Sequence, residues 1–498
     1  MMYNSTRDNS VRVTSSQAII QGISKDGGLF VPQKFPALGI EEILALLPLS
    51  YAERAVFVMA KYLPDFTYEE VLECSRLAYN TGRFRSADIA PLYRMDSGIN
   101  LLELWHGPTC AFKDVALQIL PHLMRVSAKR TAEGREIIIL VSTSGDTGKA
   151  ALEGFRGADN TRILVFYPED GVSPMQKLQM VTQEGENVAV CGISGNFDDA
   201  QTGVKSIFTD PKVIERLKSN NMIFSSANSI NWGRLLPQIV YYISAYCDLA
   251  ASGAIKLGDR VNIAVPTGNF GNILAAYYAR KMGLPVSRLI CASNKNKVLT
   301  DFINTGVYDK NREFYLTTSP SMDILISSNL ERLLYDLSGC DVGEINRLMG
   351  DLKARGEYRV SASMAEKIKS VFHAGWCDDL QTAKTIKDIY DSYDYLIDTH
   401  TAVAVQVYFD YKRQTGDATP AIIASTANPY KFSASVLKAL TGDAGGLDEF
   451  EKMDKLYRIT GFEIPEPLLS VRGKSKRFEY VCKPSDMEQA VYNLLHIE

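Results

Sequence analysis

Lys113 stands in the stretch ELWHGPTCAFKD (103–114), behind a histidine, a glycine-proline turn and a phenylalanine. A buried ammonium is costly unless it is paired or neutralised. Such a lysine is either a solvated surface charge or an amine in use, and desolvation is one way to make a lysine nucleophilic. Three other stretches offer donors. VSTSGDTGKAALEGF (141–155) supplies the hydroxyls of Ser142, Thr143, Ser144 and Thr147, the carboxylate of Asp146, and a flexible Gly145. PTGNFGNILAAYY (266–278) brackets Asn269 and Phe270 with Gly268 and Gly271, with Asn272 next, so successive N–H groups can line a nest for a phosphate. IIASTANPYKF (422–432) ends in Ser425 and Thr426 before Asn-Pro. Taken singly, each also reads as an N-cap or a hydroxyl-rich turn. The 141–155 loop lacks the GK[ST] of a nucleotide P-loop and the GxGxxG of a dinucleotide fold.

The elements that must position these loops are legible. Short β-branched runs at 136–142, 161–168, 187–193, 260–266, 288–293 and 420–426 read as strands, and 231–253 and 271–283 as amphipathic helices. Strands alternating with helices imply buried parallel sheets covered on both faces. The spacing near 140–205 reads as one compact α/β unit, and a second set resumes after about residue 220. Ligands in such sheets sit beyond the carboxyl ends of strands, where all three donor loops fall. A phosphate nest, a second anion loop and a lysine in apolar company suit a phosphorylated aldehyde. Pyridoxal 5′-phosphate (PLP) is one candidate among several on spacing alone.

Composition narrows the class. The chain has 498 residues, 46% of them hydrophobic, which allows sizeable cores and about three structural units. Net charge is 54 − 58 = −4, so no general attraction to nucleic acid or anionic membrane is expected. The eight cysteines form no CxxC pair and the five histidines lack ligand spacing, so neither a disulfide framework nor a metal centre is expected. The opening MMYNSTRDNSVRVTSSQ has no apolar h-region, and no apolar run reaches membrane-spanning length. The expectation is a cytoplasmic protein.

HGPTCAFKD (106–114) closely resembles the PLP-lysine motif of bacterial and yeast threonine synthases. The resemblance continues through YNSTRDN (3–9), GISKDGGLFVP (22–32), STSGDTG (142–148), SGNFDDAQ (194–201), NSINWGRLLPQIVYY (228–242), PTGNFGN (266–272), SNKNKVLTDF (293–302), SPSMDILISSNLERLLY (319–335), DTHTAVAV (398–405) and STANPYKF (425–432). It implies a fold type II PLP enzyme, tryptophan synthase β-like, with two open, mostly parallel sheets and the cofactor between them. The expected division is a region 1–105 packing on the large domain, a small α/β domain 106–225, and a large PLP-phosphate-binding domain 226–498.

Carried over motif by motif, the resemblance implies that Lys113 holds PLP as a Schiff base with Phe112 beside the ring. Gly268, Asn269, Phe270, Gly271 and Asn272 would bind the cofactor phosphate, and Thr426 the pyridine nitrogen. The loop Ser142, Thr143, Ser144, Gly145, Asp146 and Thr147 would hold the substrate's α-carboxylate. Arg234, supported by Asn228, Ser229 and Asn231, would bind the substrate phosphate, for which a guanidinium is suited. The implied reaction converts O-phospho-L-homoserine and water to L-threonine and phosphate, with Lys113 moving protons at Cα and Cβ. No metal is implied, and the chain would be a monomer or homodimer.

Three positions depart from the family pattern: Asn428 where many relatives have His, Thr399 where Pro is usual, and Cys110 in place of an aliphatic residue. His106 reads equally as a site contact or a structural histidine, and His400 as structural. Within the fold the rivals are a threonine or serine dehydratase, a cysteate synthase, or a PLP-binding homologue without turnover. HGPTCAFKD and NSINWGR favour a phosphorylated substrate.

Overall fold

The structure, a computed structural model, describes residues 1–96 and 98–497. The strands of the two main sheets are, in chain order, Leu92–Asp96 (β1), Ile99–Glu103 (β2), Glu136–Ser142 (β3), Thr161–Pro168 (β4), Val188–Ile193 (β5), Met222–Ser225 (β6), Val261–Pro266 (β7), Val286–Ser293 (β8), Phe372–Trp376 (β9), Ala421–Ser425 (β10) and Val481–Cys482 (β11). The helices that serve the site are Lys113–Leu117 (α1), Asp146–Phe155 (α2), Trp232–Ala251 (α3), Gly271–Met282 (α4) and Thr399–Thr415 (α5).

One sheet has the order β9-β8-β7-β10-β2-β1, parallel except for the antiparallel edge pair β1–β2. The other has the order β11-β5-β4-β3-β6 and is parallel throughout. Strands β3, β7 and β10 are wholly or almost wholly buried, as their unbroken apolar runs require when helices cover both faces. The six strands read from sequence lie within one or two residues of those observed, and the expected α/β class with two mostly parallel sheets is the observed one.

The chain does not divide between the sheets at single points. Strands β1 and β2, in the region expected only to pack on the large domain, complete its sheet. At the other end, β11 and the helix Met487–Leu495 cover the edge of the five-stranded sheet, although 226–498 was expected to form one unit. Strands of two to five residues with mixed polarity carry too little pattern to announce such crossings. The first ninety residues grip α3: the rings of Tyr3 and Tyr62 lie 5.1 and 5.5 Å from that of Trp232, and Arg54 pairs with Asp248 at 2.5 Å. No described helix is long and apolar enough to cross a membrane.

Candidate active site

The lysine loop lies along the carboxyl end of β10. The N–H of Phe112 donates to the carbonyl of Thr426 at 2.8 Å, and that of Asn428 to the carbonyl of Cys110 at 3.0 Å. Trp105 Nε1 donates to Ser425 Oγ at 3.0 Å. These bonds fix the start of α1 and so place Lys113 where parallel sheets bind ligands. Lys113 is 9% exposed, with Nζ 5.1 Å from the Phe112 ring centroid. Nζ lies 3.4 Å from Asp146 Oδ2 and 3.4 Å from Ser321 Oγ. Burial lowers the affinity of this amine for its proton. Asp146 opposes that effect, and the nearby cations Lys431 and Arg234 add to it.

Asp146 opens α2, positioned by a turn that needs a glycine before it. Gly145 has φ +131°, and a Cβ there would stand 2.4 Å from the Gln176 side chain. Thr143 Oγ1 accepts from the N–H groups of Gly145 and Gly148 at 3.0 and 2.9 Å, so this hydroxyl closes the loop. The Asp146 carboxylate meets Lys431 Nζ at 2.9 Å and Gln176 Nε2 at 3.0 Å on Oδ1, and Ser321 Oγ at 3.1 Å on Oδ2. Burial alone would raise its pKa, but the Lys431 and Lys113 ammoniums hold it well below the usual carboxylate range. Asp146 was expected beside the substrate's carboxylate. A second carboxylate against this one would be repelled, whereas the loop's hydroxyls and the first N–H groups of α2 carry no such charge. Ser142 Oγ is buried with no partner among the described residues.

The loop 268–272 joins β7 to α4. The N–H groups of Gly268, Asn269 and Phe270 donate to no acceptor among the described residues, and those opening α4 are free by helix geometry. Phe270 takes a left-handed conformation, φ 62°. A Cβ on Gly268 would lie 2.8 Å from the carbonyl oxygen of Ser321, so glycine permits the two loops to touch. Asn329 holds the outer side: its N–H and Nδ2 donate to the Asn269 carbonyl at 3.2 and 3.0 Å, and Nδ2 also meets Ser229 Oγ at 3.3 Å. Asn272 Oδ1 accepts from Tyr241 and Tyr242, leaving the buried Nδ2 without a partner.

At the start of α3, Arg234 is 2% exposed and meets no carboxylate among the described residues. Nη1 donates to the Ala227 carbonyl at 2.6 Å, and Nε has no partner among the described residues. Burial pulls this guanidinium down to about 10. Asn228 Oδ1 is likewise buried and unpartnered. Asn231 has a different task from the one expected. Its Nδ2 donates to the carbonyls of Ile19 and Ser226 at 2.9 and 2.8 Å, and its Oδ1 accepts the Gly233 N–H at 2.8 Å. Both hydrogens of that amide nitrogen are thus spent on backbone carbonyls.

Two participants gave little sequence signal. Lys431 and Ser321 lie inside recognised motifs, but only the fold brings them to Asp146 across more than 170 residues. Of the two ambiguous histidines, His106 bonds Glu103 at 2.6 Å and stacks on Trp105 at 4.3 Å. His400 Nε2 accepts the Ser321 N–H at 3.1 Å, and its Nδ1 faces Asp398 at 3.0 Å, so this ring supports the Ser321 turn. Asn428, one of the departures, caps the turn 429–432 by accepting the Tyr430 N–H at 3.0 Å.

Residues 2–79 match the family model "Threonine synthase N terminus", and residues 401–489 match "Threonine synthase, C-terminal". Threonine synthase-like 1 of Homo sapiens is 40% identical over 488 residues, 95% of this chain, and the chain spans 64% of that relative's length. Threonine synthase of Pseudomonas aeruginosa is 39% identical over 465 residues, covering 91% of this chain and 95% of the relative. The crystal structure of PLP-bound threonine synthase from Brucella melitensis superposes with a TM-score of 0.86 at 37% identity, over 99% of each chain. At 39% identity to a threonine synthase over 91% of its residues, and with both family models matched, the chain belongs to the threonine synthase family.

Proposed function

We propose that the chain converts O-phospho-L-homoserine and water to L-threonine and phosphate, with PLP held on Lys113. The observation that carries this reading is Arg234, a buried guanidinium with an open Nε and no carboxylate partner. Two ammoniums share the one carboxylate of Asp146, and this guanidinium adds a further positive charge near Lys113, an excess that a phosphorylated ligand would neutralise.

The residues present fit PLP. Free N–H groups at 268–270 and the unpartnered Asn272 amide suit its phosphate. The Thr426 hydroxyl, next to the strand end that anchors Phe112, suits its ring nitrogen. PLP bound there supplies an electron sink that acidifies the C–H bonds of an attached amino acid. Lys113, kept short of its full proton affinity by burial, acts first as a nucleophile and then as the base and acid that moves protons at Cα and Cβ, a proton being returned to Cγ once the phosphate has left. Asp146 and Ser321 orient its Nζ. Phe112 and the adjoining loops keep bulk water from that amine. Arg234 and Asn228 would take the phosphate that departs from Cγ, and Ser142, Ser144 and Thr147 the α-carboxylate.

The test is to add PLP to the purified protein, trap the product with borohydride and map the labelled peptide. Label on Lys113 supports the reading; label elsewhere, or none, defeats it.

A further inference from the structure

Asp146 is shared between two lysines that reach it from different parts of the fold. Lys431 stands on the turn Pro429–Phe432 after β10, its side chain completely buried. Its Nζ lies 2.9 Å from Asp146 Oδ1 and donates to the Thr109 carbonyl, four residues before Lys113, at 2.8 Å. Asp146 Oδ2 faces Lys113 at 3.4 Å. A buried pair of this kind is weak as a source of stability, since desolvation of both ions offsets most of their attraction. Its placement points elsewhere.

We propose that Lys431 is a positioning residue for Lys113, holding the Asp146 carboxylate in front of the amine and adding a second buried cation to the same cluster. The proposal rests on the reading of Lys113 as the PLP-bearing lysine. The charged and titratable groups around the amine are Asp146 on α2, Lys431 on its turn, Arg234 on α3 and, next in the chain, the buried Asp114, whose carboxyl Lys431 also affects. Beyond the Ser321 turn stands His400. Of these, Asp146 favours the protonated amine, and the two cations disfavour it. Ser321 Oγ bridges Lys113 and Asp146.

The experiment follows the rate at which PLP-free protein forms its lysine-linked absorbance band as pH is varied. Lys431→Met should move the midpoint to higher pH by about one unit and slow uptake near neutral pH about 10-fold. Lys431→Arg should restore the wild-type midpoint. Lys431→Gln keeps a donor for Asp146 and Thr109 while deleting the charge, so it must show the same alkaline shift even if the Met variant does not fold. Charge-deleting variants with an unmoved midpoint would overturn the role of Lys431. A wild-type protein that forms no band would instead overturn the reading of Lys113, and this proposal with it.

Discussion

The N–H of Arg234 donates to the carbonyl of Asn231 at 3.0 Å, one turn apart at the start of α3, yet the two side chains serve opposite purposes. The Asn231 amide is spent on three backbone groups, including one from the N-terminal region. The Arg234 guanidinium is buried with a single backbone bond. The first arrangement holds the fold, and the second leaves the Arg234 Nε without a partner among the described residues.

Substitutions should separate the two. Asn231→Ala removes a helix cap and strands two carbonyls, which should cost about 2 kcal/mol or more, read as a fall in denaturation midpoint. Turnover per folded molecule should be nearly unchanged. Arg234→Met removes an uncompensated charge and should leave the denaturation midpoint unchanged or raise it. It should raise KM for phosphohomoserine about 10- to 100-fold, the worth of a charge-assisted phosphate contact. Unchanged KM would move the phosphate site elsewhere.

The close approach of Gly268 to Ser321 gives a second expectation. A Cβ at 268 must displace a backbone carbonyl that lies 2.8 Å away, and the Ser321 turn also carries the hydroxyl facing Lys113. Gly268→Ala should therefore weaken PLP binding at least about 10-fold, a loss of roughly 1.4 kcal/mol, measured by absorbance titration. Equal affinity would show that the loop does not cradle the cofactor.

Asp114, directly after the lysine, predicts a pH dependence of stability. Its carboxylate accepts the N–H and hydroxyl of Thr109 at 2.8 and 2.6 Å, but burial still pushes its pKa up to about 6. The folded state thus binds the proton more tightly than the unfolded one. The associated stability is fully present below pH about 4 and is lost as pH rises to about 6. The loss amounts to about 3 kcal/mol for a shift of about two units. Over that range the wild type should lose stability relative to Asp114→Asn, as measured by urea titration at several pH values. Parallel curves would refute the assignment.

Much of this was legible in the residues. The strands β3, β4, β7 and β10 announce themselves because a doubly covered sheet demands continuous apolar runs. The ligand loops follow from glycine and hydroxyl placement at their ends. The use made of each side chain was less legible. Asn231 and Asn228 look alike in NSINWGR, and only the fold shows one satisfied by Ile19 and the other unpartnered. Asp146 looked like one more residue of the substrate loop, and only the fold shows Lys431 meeting its carboxylate from across the chain. The return of β11 to the smaller sheet was invisible because a two-residue strand has no periodicity.

The most direct measurement is turnover of O-phospho-L-homoserine in ¹⁸O-labelled water, with both products analysed. The account predicts equimolar threonine and phosphate, with the label in the threonine hydroxyl and none in the phosphate, and no turnover by Lys113→Ala. Phosphate carrying the label beside homoserine, or phosphate beside an oxo acid and ammonia, would contradict it.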